Sequence, residues 1–358
     1  MHLTAHVNGA AMRNICRTQL VLLASCLPLL AVCSGCPANT NSQGTVVVYS
    51  ALDREFAEPV LNDFAKATGI RVLAKYDNES TKTVGLTNLL IHEAGRPRCD
   101  VFWNNEILNT LRLEQKGLLA AYDSPAGAVF PAKYRSPDGY WHGFAARARV
   151  LIVNTKLMAD SERPKSIFDL ADEKWKGKIG IARPVAGTTA THVACLFATL
   201  GEEKSKEFFQ SLKRNQIQIL GGNKQVAQAC AAGQIAFGLT DTDDAIIEVE
   251  RAAPVSIVYP DREAEQLGTL FIPNTLAVMK GCPQGEQARR LVDYLLSPDV
   301  EEKLARGASA QIPLNPAAVG PSRVETPATV KPMAVDISAA AAAWDSAAWF
   351  IENEFLAN

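Results

Sequence analysis

No apolar run in these 358 residues approaches the ~20 that a bilayer crossing needs. Lysine and arginine form no stripe or block, and the net charge is only −2, which argues against a nucleic-acid partner. Histidine is scarce at 5, and His92 and His192 have no ligand-type neighbour at metal-site spacing. Past the first 36 residues, Cys99, Cys195, Cys230 and Cys282 fit no CxxC or zinc spacing. No GxSxG elbow, HExxH, phosphate-binding glycine loop or GxGxxG is present, so the common hydrolase, metalloprotease, nucleotide and dinucleotide chemistries have no motif to stand on. The reading is of a binding protein that requires no cofactor.

What is there begins with an address. Arg13 and Arg17 precede an apolar stretch, Leu20 to Val32, that ends in Cys33-Ser34-Gly35-Cys36. A positive start, a short apolar core and small residues before a cut mark a secretory signal. The Gly35-Cys36 step resembles a lipoprotein processing site, so residues 1–35 read as signal peptide, Cys36 as the lipidated residue and 36–44 as a polar tether. The expected product is exported, anchored to a membrane face by lipid, and monomeric.

The remainder is too long for one simple core and comfortable for two domains of ~150 residues. Thr45 to Ser50 is a β-branched strand, and Glu55 to Thr68 carries apolar residues at helical spacing up to Gly69. Ile70 to Lys75, a helix through Val84 to Ile91, Asp100 to Trp103 and a helix from Leu108 to Lys116 continue a β-α alternation, the grammar of a sheet flanked by helices. It restarts with the strand Lys178–Ala182, helices at 189–200 and 205–214, a strand at 217–220, a helix at 225–232 and the strand Ile235–Leu239. The expected fold is α/β with two lobes: 45–149 plus 275–316 as the first, 150–274 as the second. Arg149–Val153 and Thr275–Met279 read as two hinge crossings, near Val150 and Leu276. Residues 317–358 hold an irregular Pro/Ala-rich segment and a closing helix from Ile337 to Leu356.

Candidate ligand groups gather where strands end. Ala186-Gly187-Thr188-Thr189-Ala190 lies between a strand and a helix, where backbone N–H groups, two hydroxyls and the positive helix end suit phosphate or carboxylate. Ser80 and Thr81 open another helix and are placed on the opposite wall. Of Arg147 and Arg149, which alternate with Ala148, one is expected to reach the cleft, and Arg149 is assigned to it. Asp241 and Asp243, with Asp244, follow a strand's carboxyl end, where open α/β sheets place ligands. Acids on one wall and an anion nest on another suit a zwitterion such as an aminophosphonate, or a metal bound together with an anion.

Val47-Val48-Tyr49-Ser50-Ala51, Asp100-Val101-Phe102-Trp103, Arg147-Ala148-Arg149-Val150 and the run from Asp169 to Lys178 carry a resemblance. From about 45 to 316 the chain resembles the periplasmic ferric-ion-binding proteins, solute receptors of ABC importers with the type II periplasmic binding fold. The resemblance implies two lobes that close on a small solute, here ferric iron with a synergistic anion or a related ligand, and a permease and ATPase as partners. Receptors for phosphonates, polyamines or similar solutes, and sensors for a membrane kinase, share the fold. The family's adjacent iron-binding tyrosines map onto Thr240-Asp241-Thr242-Asp243-Asp244, which contains none, leaving Asp241 and Asp243 as metal candidates. Its histidine maps near Asp53 and its glutamate onto Asn105, between Asn104 and Glu106; Ser50 completes the implied set. The family's sheet order also implies a return strand beside Cys99 and hence a Cys99–Cys282 disulfide.

Overall fold

In the computed structural model, residues 44–77 and 83–357 are described. The signal peptide, the lipidation at Cys36 and the proposed contacts of Ser80 and Thr81 lie outside them. Among the described residues no helix is long and apolar enough to cross a membrane.

The chain opens with β1 (Thr45–Ser50), α1 (Arg54–Thr68), β2 (Arg71–Tyr76), α2 (Val84–His92), β3 (Val101–Asn104), α3 (Leu108–Gln115) and the short β4 (Leu119–Ala120). Helix α1 stops where the sequence requires it: Gly69 takes the left-handed conformation (φ 72°) and its N–H closes on Ala65 O. β5 (His142–Asn154) follows, then β6 (Ile179–Ala182), α4 (Gly187–Leu200), α5 (Glu202–Arg214), β7 (Gln218–Leu220), α6 (Asn223–Ala231), β8 (Phe237–Asp241), α7 (Thr242–Glu250) and β9 (Val255–Val258). β10 (Phe271–Met279), α8 (Gly285–Leu295), α9 (Pro298–Arg306) and α10 (Ile337–Phe350) complete it, with a π-helical turn at Ile351–Phe355.

Ten strands join in the order β2-β1-β3-β10-β5-β8-β6-β7, with β4 beside β10 and β9 beside β5. β1, β2 and β3 are parallel, as are β6, β7 and β8, while β10 and β5 run antiparallel to their neighbours. β5 holds both halves together. Its first part pairs with β10 up to Ala148↔Phe271, and its second part pairs with β8 from Arg149↔Asp241 onward. All thirteen of its residues are buried.

The change of partner therefore falls at Ala148–Arg149, close to the expected Val150. The second crossing does not lie at Leu276, which pairs with Trp103 inside the first sheet. It lies around Gly268–Phe271, where Arg149 N donates to Leu270 O at 2.8 Å. An apolar run is equally at home in a sheet centre, and that is how Thr275–Met279 is used. The crossing is braced from outside: Thr269 N donates to Lys331 O (2.9 Å) and Met333 N to Thr269 O (2.8 Å). A Cβ on Gly268 (φ +91°) would stand 2.6 Å from the Pro332 carbonyl. Gly268→Ala is expected to lower the unfolding free energy by about 2–3 kcal/mol through overpacking and a strained φ. Urea unfolding measures it, and a loss within 0.5 kcal/mol would show that the segment around Pro332 gives way.

Helix α10 packs on α4 and α3, which follow strands of the two different halves. Phe350 lies 5.8 Å from Phe197, Phe355 5.4 Å from Phe209, and the Arg112 guanidinium stacks over Trp344. The four described cysteines are free thiols, which corrects the expected Cys99–Cys282 bridge. β10 does run antiparallel beside β3, but the register pairs Val278 with Val101. That alignment puts Lys280 across from Cys99, and the chain turns at Gly281 (φ +71°) before Cys282.

Candidate functional site

β6, β7 and β8 are parallel, and each runs at its carboxyl end into the start of a helix: α4 at Gly187, α6 at Asn223 and α7 at Thr242. Three helix N-termini thus converge, each offering unsatisfied N–H groups and about half a positive charge. Between them lies a cavity of about 30 Å³, room for one or two waters, whose walls include Gly187, Thr188, Asn223, Asp243, Arg147 and Arg183. Gly187 takes φ +59° with nothing within 4 Å of where a Cβ would stand, so glycine serves the backbone conformation there and the space beside it stays open.

A buried network ties the three helix starts together. The fully buried Arg149 donates through Nη1 to Asp241 Oδ1 (2.7 Å), Asn223 Oδ1 (3.0 Å) and Thr188 Oγ1 (3.3 Å). Asp241 Oδ2 accepts from Thr188 Oγ1 and from Asn223 Nδ2 (2.9 Å), and Thr189 Oγ1 donates to Asn223 Oδ1 (3.1 Å). Arg149 is therefore a structural tie behind the cavity wall. Of Arg147 and Arg149, which share a face of β5, Arg147 is the one that lines the cavity. Arg147 Nη1 is 3.3 Å from Asp243 Oδ2, Nη2 donates to Asn274 Oδ1 (3.1 Å), and its buried Nε has no partner. Burial opposes the Arg147 charge, but Asp243, Asp241, Asp53 and Asp244 outweigh it and hold the pKa above its ordinary value.

Ligand-type oxygens of Asp241, Asp243 and Asp244 lie within 4.8 Å of one another, the one such acid, histidine or cysteine group among the described residues. Both oxygens of Asp241 also accept hydrogen bonds from Arg149, Thr188 and Asn223, so this carboxylate belongs to the buried network as well as to the acidic group. Asp241, Asp243 and the half-buried Asp244 all line the cavity. The opposite wall carries Asn105, whose Oδ1 accepts from Thr83 Oγ1 at 2.6 Å.

Other assigned residues serve the scaffold. Glu106, fully buried, accepts from the Leu108 and Asn109 N–H groups at the start of α3, from Asn104 Nδ2 (2.7 Å) and from Thr191 Oγ1 on α4 (2.9 Å). Burial raises its pKa despite these donors. An acid just ahead of a helix start has that use available, and it corrects Glu106 as a ligand. Asn104 Nδ2 donates to Glu106 and Thr110, and Ser50 donates to Leu52 O at 3.2 Å beneath the surface. Asp53, just before α1, reaches the site through its charge on Arg147. Trp141 Nε1 donates to Glu114 and His142 pairs with Tyr122 O, so neither lines the cavity. His192 is buried on α4, where burial and then the Arg149 charge lower its pKa to about 3. The residue that sequence reading missed is Arg183, exposed on the rim just past β6, with no ion pair among the described residues. Its place at a strand's carboxyl end was the available signal.

Comparison with known proteins agrees with this architecture. A family model described as bacterial extracellular solute-binding protein matches residues 109–337. A ferric-ion-binding periplasmic protein of Serratia marcescens is 30% identical over 220 residues, covering 62% of each chain. The major ferric iron-binding protein of Neisseria meningitidis is 25% identical over 80% of this chain and 86% of that one. Iron-bound HitA from Pseudomonas aeruginosa superposes with a TM-score of 0.78 at 22% identity, over 86% of this chain and 99% of that one. AfuA from Actinobacillus pleuropneumoniae, whose structure holds exogenous fructose-6-phosphate, gives 0.78 at 23% identity over 88% and 100%. With a two-lobed α/β fold and the family model spanning well over half of its residues, this chain belongs to the bacterial extracellular solute-binding proteins, a family of carriers and not of enzymes.

Proposed function

We propose that this protein is the receptor of an ABC importer and captures a small organic anion, a phosphate ester or phosphonate, between its two lobes. The observation that carries the reading is the convergence of three helix N-termini on one cavity edged by Arg147 and Arg183, while the nearby acids Asp241 and Asp243 already have arginine partners. The positive helix ends are thereby left facing the cavity. Asp243 and Asp244 then accept from hydroxyl or amine groups on the solute's other end. The fructose-6-phosphate held by the AfuA structure supports this choice. Lobe rotation about Ala148–Arg149 and Gly268–Phe271 admits the solute, and a ligand that touches both walls favours the closed state. Lipid on Cys36 keeps the receptor at the membrane beside its permease.

A second reading keeps ferric iron with a synergistic anion. It is favoured by the names of the Serratia and Neisseria relatives and by the grouping of three carboxylates. In that reading Asp243 and Asp244 are the oxygen donors and the helix starts hold the anion.

A thermal-shift panel on the chain from Gly44 onward separates the two. Inorganic phosphate, fructose 6-phosphate and 2-aminoethylphosphonate are expected to raise Tm. Arg147→Gln is expected to weaken binding about 10- to 100-fold, as loss of a charge-assisted hydrogen bond does. Stabilisation by ferric citrate, with none from the organic phosphates, overturns the first reading in favour of the second.

A further inference from the structure

Thr83 is one of six described non-glycine residues with a positive φ, and the β-branched one among them. It takes φ 74°, ψ −55°, close to the rare and strained γ-turn conformation, and its side chain is completely buried. For a β-branched residue a positive φ is an outlier, while glycine reaches that region at little cost. Strain of this kind persists where the surroundings over-determine it, and it clusters at ligand clamps. The surroundings here are specific. Thr83 O accepts from Thr87 N (2.9 Å) and Thr87 Oγ1 (2.7 Å), which fixes the turn onto the first coil of α2. Thr83 Oγ1 then donates to Asn105 Oδ1 at 2.6 Å.

Asn105 is the cavity-wall residue contributed by the β3–α3 loop, opposite the start of α4. Its neighbour Glu106 turns away to cap α3 and to meet Thr191, so the loop's backbone is held on both sides of the site. With Oδ1 accepting from Thr83, what the Asn105 amide has left to offer the cavity it lines is Nδ2, a donor. We infer that Thr83 is a positioning residue for the solute: its strained backbone holds the hydroxyl that turns Asn105 into an N–H donor facing the helix starts, so that a bound anion is gripped from both lobes. The inference rests on the anion reading proposed above.

Calorimetric titration of inorganic phosphate into the chain from Gly44 onward, with Tm recorded for each variant, tests it. Thr83→Gly removes the hydroxyl and relieves the strain. The expected result is about tenfold weaker phosphate binding, the scale of one hydrogen bond to a charged group, with Tm unchanged or raised. Thr83→Ser keeps the hydroxyl and is expected to bind within about twofold of the parent, well inside the effect of one hydrogen bond. Asn105→Asp, which replaces the donor with a charged acceptor, is expected to abolish phosphate binding. Parent-like binding by Thr83→Gly overturns the inference and leaves the anion reading intact. Weaker binding with a lowered Tm in both Thr83 variants also overturns it, in favour of a structural role. No phosphate binding by the parent overturns both.

Discussion

Replacing Arg149 with alanine is expected to lower the unfolding free energy by about 3–5 kcal/mol, the cost of stranding one member of a buried ion pair. Arg149 is completely buried, and its partner Asp241 would keep only Thr188 and Asn223 as donors against a full charge. The loss spreads further than one pair, because Arg149 also holds Asn223 and Thr188, and so the starts of α6 and α4. Denaturant unfolding of the single variants Arg149→Ala and Asp241→Ala, and of the double variant, measures the coupling. A coupling above about 1 kcal/mol is expected for groups in one network, and additive losses would show that the two side chains act separately.

Acid is expected to act through His192. Its pKa is lowered to about 3 by burial and by Arg149, against about 6.5 for an unfolded histidine. Between those values the unfolded chain binds a proton that the native chain refuses, so this contribution to stability is complete above about pH 6.5 and falls by roughly 1.4 kcal/mol per pH unit below it. Glu106 works in the opposite sense. Its raised pKa means the native state takes up a proton before the unfolded one does, so acid relieves a cost of burying the carboxylate. Comparing the parent with His192→Leu isolates the histidine. Between pH 7 and 4.5 the parent is expected to lose roughly 2–3 kcal/mol relative to the variant. Parallel pH profiles would mean that His192 accepts its proton in place.

The alternation of strands and helices was open to reading because local signals agreed with one another. The β-branched run at Thr45–Ser50 and the stop at Gly69 each have a single good structural interpretation. The start of α4 was equally legible as a helix N-terminus, since a glycine and two threonines after a strand favour one. What sequence could not give was partnership. β5 is buried along both halves, yet with Arg147 and Arg149 in its middle it reads as partly polar, and the two arginines looked like alternatives when they share a face. Asp241 gave no sign of its arginine partner, which lies 92 positions away. Cys99 and Cys282 missed each other by a register of two residues, which no spacing rule reveals. Thr83 gave no local sign at all, because its conformation is imposed by Thr87 and Asn105.

The place of α10 has a consequence for how the molecule is made. The strand that completes the first sheet, β10, and the helix that covers Phe197 and Phe209 both come from the last third of the chain. A ribosome that has delivered everything before residue 271 has delivered neither, so β3, α3 and α4 lack these partners until β10 and α10 have emerged. Domains generally fold as units while the chain emerges, N-terminal parts first. This one closes only once β10 and α10 have been made, and until then it is in the form that can still be threaded through a membrane channel.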